Sequence, residues 1–255
     1  MLDNLLFSLG VSLAVQAVFF AFAASLKTDK VTDLSYGLTF VLIAVALVLR
    51  SGAEGLAPLV LTGMIVAWGV RLAAYLVYRI WKIGRDERFD GIREDFFRFF
   101  KFWFFQGFAV WVILLPVTVW FSRHGPWTTW MAIGALVWLV GFAIETVADQ
   151  QKFAFKQTAE GRKRWTDTGL WRHSRHPNYF GELLCWWGVF LFVGPGLGTW
   201  ALLALVGPLA ITGILLFATG IPTLEASARR KWGEDPEYLA YRARTRMLLP
   251  LPRRL

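Results

Sequence analysis

Cysteine occurs once in the 255 residues, at Cys185 inside an apolar run, so no disulfide forms within the chain and helix packing must hold the fold. A lone cysteine also leaves the redox compartment unread. Histidine occurs three times, at 124, 173 and 176. His173 and His176 are three apart, but no further histidine or cysteine pair stands near them to complete a ligand set, so no metal site is expected. No GxxxxGK segment is present to cradle phosphates. The glycines of 194–198 follow an apolar run and read as a tight turn, because a dinucleotide fingerprint needs a strand before it and a helix after it. Charge is sparse, at 18% of residues.

What remains is apolar: 56% hydrophobic residues, with 14 Trp and 22 Phe, far from a soluble domain and suited to one all-α bundle in a membrane. Seven hydrophobic stretches are read at about Asn4–Leu26, Leu34–Leu49, Leu56–Val77, Phe102–Phe121, Trp127–Ala148, Tyr179–Val193 and Thr199–Ile221. They predict about seven transmembrane helices in a single domain. Residues 1–100 then carry the N-terminal helices on the substrate side, and 101–255 the cofactor-binding helices and tail. No Lys or Arg precedes the first stretch and no small-residue cleavage pattern follows it, so it is expected to be retained.

The 27 Lys and Arg are distributed unevenly: the connections after stretches one, three, five and seven hold 24 of them. By the positive-inside rule the N-terminus is expected outside and the C-terminus in the cytoplasm. The basic connections 79–101 and 152–175 then share one face with the tail from Glu225, where a polyanion would be met. A formal charge of +9 is explained by this topology and by anionic lipid or phosphate ligands, so nucleic acid is not expected as a partner.

Polar residues recur at helical spacing within the apolar stretches. Arg71, Tyr75 and Tyr78 or Arg79 stack along the third; Glu145, Asp149, Lys152 and Lys156 follow one another on the fifth; Asn178 and Glu182 stand four apart on the sixth. Each is readable as a structural ion pair. A charge within a bilayer costs at least roughly 2.5 kcal/mol, however, and several together point to function. The run WRHSRHPNYFGE from Trp171 is the densest of these features. Pro177 fits the first turn of a helix and leaves Asn178 near its N-terminus, where an anion or an amide-bearing ring is favoured.

The helix-five pattern from Glu145 to Lys156, the run GLWRHSRHPNYFGE from Gly169 and the tail EYLAYRARTRMLLP from Glu237 resemble the steroid 5-alpha-reductase family of integral membrane reductases, and its bacterial members in particular. The resemblance is strongest from about Gly141 onward. It implies a seven-helix bundle open to the cytoplasm, in a bacterial inner membrane, that holds NADPH in a polar cavity and admits a lipid-like enone from the bilayer. Asn178 and Glu182 match the pair that holds the nicotinamide carboxamide, and Asp149 and Lys156 match residues near ribose and phosphates. Arg71, Tyr75 and Arg79 resemble the helix-three face lining the cofactor. Arg175, His176, Tyr179 and Tyr241 fall in the matching segments and complete the expected cofactor-binding set.

The implied reaction carries a hydride to the β-carbon of a conjugated double bond, with charge developing on the carbonyl oxygen and a proton delivered to the α-carbon. Trp68 stands where the steroid enzymes have a tyrosine, and Ala53 where a glutamine precedes their glutamate, counterpart of Glu54. Glu54 can act as the acid if burial keeps it protonated; Tyr36 or Asp33 are its alternatives. The same RHPNYFG run, with Glu225, Trp232-Gly233, Tyr238, Tyr241 and the closing Leu-Pro, also resembles the membrane methyltransferases acting on isoprenylcysteine or phospholipid with S-adenosylmethionine. A lipid receptor without a cofactor is the third reading. The oligomeric state is not legible.

Overall fold

The structure is a computed structural model that describes residues 1–83 and 89–250. All regular structure among the described residues is helical: α1 Leu2–Ser25, α2 Thr32–Ser51, α3 Leu56–Ile83, α4 Phe96–Ile113, α5 Leu115–Arg123, α6 Trp130–Gln157, α7 Pro177–Val193, α8 Ala201–Gly213, α9 Ile221–Trp232 and α10 Pro236–Arg244. Among the described residues six helical segments are long and apolar enough to cross a membrane, which makes this a polytopic integral membrane protein. The sixth expected stretch forms α7, whose 17 residues extend about 25 Å at 1.5 Å per residue.

The fourth stretch differs from its expected form. It begins earlier, where the Asp95 side chain accepts from the Arg98 amide and caps α4, and it divides at Leu114 before Pro116 opens α5. The last apolar stretch continues from α8 through a π-helical turn at Ile214–Ala218, and the polar tail adds the short helices α9 and α10. Asp235 caps α10 by accepting from the Glu237 and Tyr238 amides.

The chain forms two compact units, residues 1–134 with 189–207, and 135–188 with 208–255. In the first, α2 packs on α3, and α1 packs on α2 and α4. Glycines set the closest approach: a Cβ on Gly37 would lie 2.7 Å from the Gly69 carbonyl oxygen, so α2 and α3 touch backbone to backbone. The α1 face is polar, with Ser8, Ser12 and Gln16 all buried at a spacing of four. Ser12 donates to the Gly107 carbonyl at 2.7 Å, Gln16 to Thr39 at 2.8 Å, and Gln106 to Gln16 at 2.9 Å and to Ser35 at 3.1 Å. The network stitches α1, α2 and α4 together where hydrocarbon gives no hydrophobic preference between helices.

In the second unit α6 and α7 run antiparallel. A Cβ on Gly181 would lie 2.5 Å from the Glu145 amide and 2.6 Å from the Gly141 carbonyl, and one on Gly141 would lie 2.6 Å from the Gly181 carbonyl. The loop beyond α6 and the tail fold together over a small aromatic core of Trp165, Tyr238 and Tyr241.

Candidate functional site

The Gly141–Gly181 contact decides what faces what in the second unit. Asn178, Gly181, Glu182 and Cys185 occupy one face of α7 at i, i+3, i+4 and i+7. Against that face α6 sets Glu145, 3% exposed and 4.0 Å from the Cys185 sulfur; four residues on, Asp149 is 6% exposed. The buried side-chain oxygen of Asn178 has no hydrogen-bond partner among the described residues. A buried amide acceptor left open costs free energy until a donor meets it, so this face favours a ligand that brings N–H groups. Glu182 stands half-buried one turn along.

Charge changes sign along α6. Lys152 follows Asp149 by three residues and lies 4.6 Å from the Trp171 ring, and Lys156 comes one turn later. The order from the middle of the helix to its C-terminal end is therefore acid, acid, cation, cation, over about 16 Å from Glu145 to Lys156. Lys156 donates to the Gly161 carbonyl at 2.8 Å and lies 5.2 Å from the Trp232 ring, which ties the end of α6 to its following loop.

The segment before α7 is held by its own hydrogen bonds. Gly169 has φ +57°, and a Cβ there would come within 2.4 Å of Gln151, whose side-chain oxygen accepts from the Leu170 amide at 2.8 Å. The Trp171 indole donates to the Ala148 carbonyl, and the Tyr241 hydroxyl to the Trp171 carbonyl, each at 2.8 Å. Burial pushes the Tyr241 phenol above its ordinary pKa, so it stays a donor. The Arg175 and His176 amides donate to the Arg246 and Met247 carbonyls, a short extended pairing of this segment with the tail.

Glu225 of α9 is the hub of that pairing. Arg175 grips it from Nε at 3.0 Å and from Nη2 at 3.3 Å, and donates from Nη1 to the Arg242 and Thr245 carbonyls. His176 Nε2 lies 2.9 Å from the same carboxylate, and Arg242 Nε 3.4 Å. A carboxylate partner requires the proton on Nε2, leaving Nδ1 as a buried acceptor without a partner among the described residues. Burial lowers the His176 pKa; the Glu225 bond opposes that shift, while Lys152 and Arg175 add to it. The Tyr179 ring stacks on His176 at 5.8 Å between centroids.

The first unit holds the other expected residues. Asp33 and Arg79 form an ion pair at 3.4 Å, and the Arg71 guanidinium lies 5.8 Å from the Tyr75 ring. Tyr36 is half-buried, edge-on to Phe40, whose ring in turn meets Trp68. Glu54 lies at the opposite end of the α2–α3 hairpin, exposed in the turn after Gly52. Eighteen residues separate the two candidate acids, about 27 Å along a helix, and the structure does not bring them together.

The set expected to hold a cofactor thus divides by what its members touch. Asn178, Glu182 and Asp149 line or adjoin one polar helix face, whereas Arg175, His176, Tyr241 and Lys156 fasten loop and tail. Glu145 and Glu225 are the additions. The first was legible in the α6 spacing, and the second had only its place in the tail pattern to mark it. Among the described residues no three His, Cys, Asp or Glu side chains gather as a metal-ligating group.

No curated protein and no solved structure matches the chain. The chain belongs to the family described as protein of unknown function (DUF1295), whose model matches residues 19–245.

Proposed function

We propose that this protein is a membrane reductase that uses NADPH to reduce a carbon–carbon double bond conjugated to a carbonyl in an apolar, lipid-like substrate. The observation that carries the reading is the charge order on the second unit: an open amide acceptor and carboxylates along the α6–α7 face, cations toward the C-terminal end of α6. A nicotinamide dinucleotide has the matching order, a neutral carboxamide at one end and phosphates further along. Asn178 accepts a carboxamide N–H, Glu182 accepts the second, and Asp149 meets ribose hydroxyls. Lys152 and Lys156, toward the C-terminal end of α6, supply the positive charge that phosphate oxygens would meet. When bound, the cofactor supplies the hydride.

The substrate class rests on the resemblance to the steroid 5-alpha-reductases, with a non-steroidal enone favoured because Trp68 is buried against Phe40 and offers no phenolic proton. Tyr36 is the better placed of the two candidate acids, since it shares its half of the α2–α3 hairpin with Asp33, Tyr75 and Arg79 while Glu54 lies in the far turn. The basic loops and tail support, by the positive-inside rule, our reading of a cofactor side facing the cytoplasm of a bacterial cell, with the protein in its inner membrane.

Purified protein in detergent tests the reading directly. NADPH is expected to raise the melting temperature more than NADH does, because a 2′-phosphate adds charge that Arg or Lys meets with strong bonds. Protection by S-adenosylmethionine in place of NADPH would reassign the site to methyl transfer, and protection by neither would leave a lipid-binding protein.

A further inference from the structure

The geometry points to an anionic-phospholipid site on the C-terminal tail, apart from the α6–α7 face. An open recess of about 290 Å³ is lined by Arg175, Leu239, Arg242 and Ala243. That volume is near the smallest ligand clefts, roughly 300 Å³, with room for a headgroup and not for acyl chains. Its walls are of two kinds. Leu239, 47% exposed, and Ala243 stand one turn apart on the outer side of α10, whose inner side buries Tyr238 and Tyr241. Beside them are two guanidiniums. They share a single carboxylate, Glu225, and His176, the other group on that carboxylate, has its pKa lowered by burial. One positive charge is left over.

The surplus is on Arg242. Arg175 is engaged through Nε and both terminal nitrogens, but Arg242 gives only Nε to Glu225, and its terminal nitrogens have no partner among the described residues. Its side chain is 31% exposed. A fork of free N–H donors beside a small apolar wall recognises a phosphate ester carried on an apolar body. Position selects the source. Arg175 precedes the apolar α7 by two residues, and α9, which carries Glu225, follows directly on an apolar stretch, so the recess lies where the chain passes between bilayer and water. The neighbouring Arg229, Arg230, Lys231 and Arg244 are exposed and hold anionic headgroups near that surface. The occupant is an anionic phospholipid: its phosphate meets Arg242, and its glycerol end rests on Leu239 and Ala243.

The test compares phosphatidylglycerol with phosphatidylcholine, each added to the full-length protein in detergent, by melting temperature. Phosphatidylglycerol is expected to add a few degrees beyond phosphatidylcholine, and Arg242→Gln is expected to remove most of that increment. Because Arg242 also touches Glu225, the exposed Leu239→Asp serves as the second variant; it leaves the Glu225 cluster intact and is expected to remove the same increment. Equal effects of the two lipids would overturn the proposal, as would an undiminished increment in Leu239→Asp. Equal protection by glycerol 3-phosphate or inorganic phosphate would overturn the lipid as occupant.

Discussion

The two units bury polar groups in different ways. In the first, the side chains that join α1, α2 and α4 are neutral: Ser12, Gln16, Thr39, Ser35 and Gln106 satisfy one another or a backbone carbonyl, and the buried groups left without a partner among the described residues, such as the Trp103 indole N–H, are neutral too. Its buried charge is closed on itself, with Arg93 between Asp29 and Asp90. In the second unit the buried groups include the carboxylates Glu145 and Asp149, with an amide oxygen on Asn178 left open. Neutral paired networks fix helix positions at little cost. Buried carboxylates and open acceptors cost more, and a fold keeps them where a ligand completes them.

The largest effect expected from breaking this contrast lies at the hub of the second unit. Glu225→Ala leaves Arg175 without its carboxylate while its side chain stays only 13% exposed. Removing one partner of such a pair costs about 3 kcal/mol or more, so the variant should unfold at markedly lower temperature or lose the tail, read as new protease cleavage between α8 and α10. Unchanged melting and an intact tail would show that the cluster is not what holds the segment before α7.

Next comes a paired comparison of one open and one closed polar group. Asn178→Ala removes the open acceptor and should lower NADPH-dependent turnover about a hundredfold, the scale of a lost positioning contact, with melting temperature nearly constant. Gln106→Ala, which removes the donor to Gln16 Oε1 and Ser35 Oγ, should do the reverse: stability falls by about 1–3 kcal/mol and turnover per folded molecule holds. If both variants behave alike, the division between structural and functional polarity is wrong.

A third, smaller effect sharpens the division within the first unit. Tyr36→Phe should slow reduction by at least about tenfold, if its hydroxyl assists protonation, and Glu54→Gln should slow it far less. The opposite ranking would move the acid to the far turn of the hairpin.

These expectations track what a sequence carries. Apolar runs marked the spanning helices well, because length and hydropathy are set by the bilayer. The division at Leu114 escaped, since Pro116 stands inside an unbroken apolar run; the earlier start of α4 was signalled only by Asp95, ahead of the phenylalanines. Ser8, Ser12 and Gln16 also escaped: neutral polar residues scarcely lower the mean hydropathy of a helix, and their partners come from distant parts of the chain. The α6 and α7 stripes were legible because i, i+4 spacing fixes a common face. What Arg175, His176 and Lys156 touch was not legible, since a cation bound to a carbonyl or to Glu225 looks, in sequence, like one awaiting a phosphate.

His176 gives the smallest effect and the most specific one. Its side chain is buried, and burial, with Lys152 and Arg175 adding to it, holds its folded pKa below the ordinary 6.5 despite the bond to Glu225. Above about pH 6.5 the ring is neutral whether the chain is folded or not, and the Nε2–H bond to Glu225 contributes fully. As pH falls below 6.5 the unfolded chain takes up a proton that the folded one refuses, so stability is lost, by at most about 1.4 kcal/mol per pH unit until the folded pKa is reached. Unfolding free energy measured from pH 7.5 to 5 should therefore decline on the acid side of 6.5. His176→Gln, which keeps an N–H for Glu225 but cannot titrate, should flatten that decline while lowering stability little at pH 7.5. An undiminished acid slope in the variant would assign it to the carboxylates of the α6–α7 face, and would make the first unit, which has no histidine within its buried network, the reference for what the rest of the fold contributes.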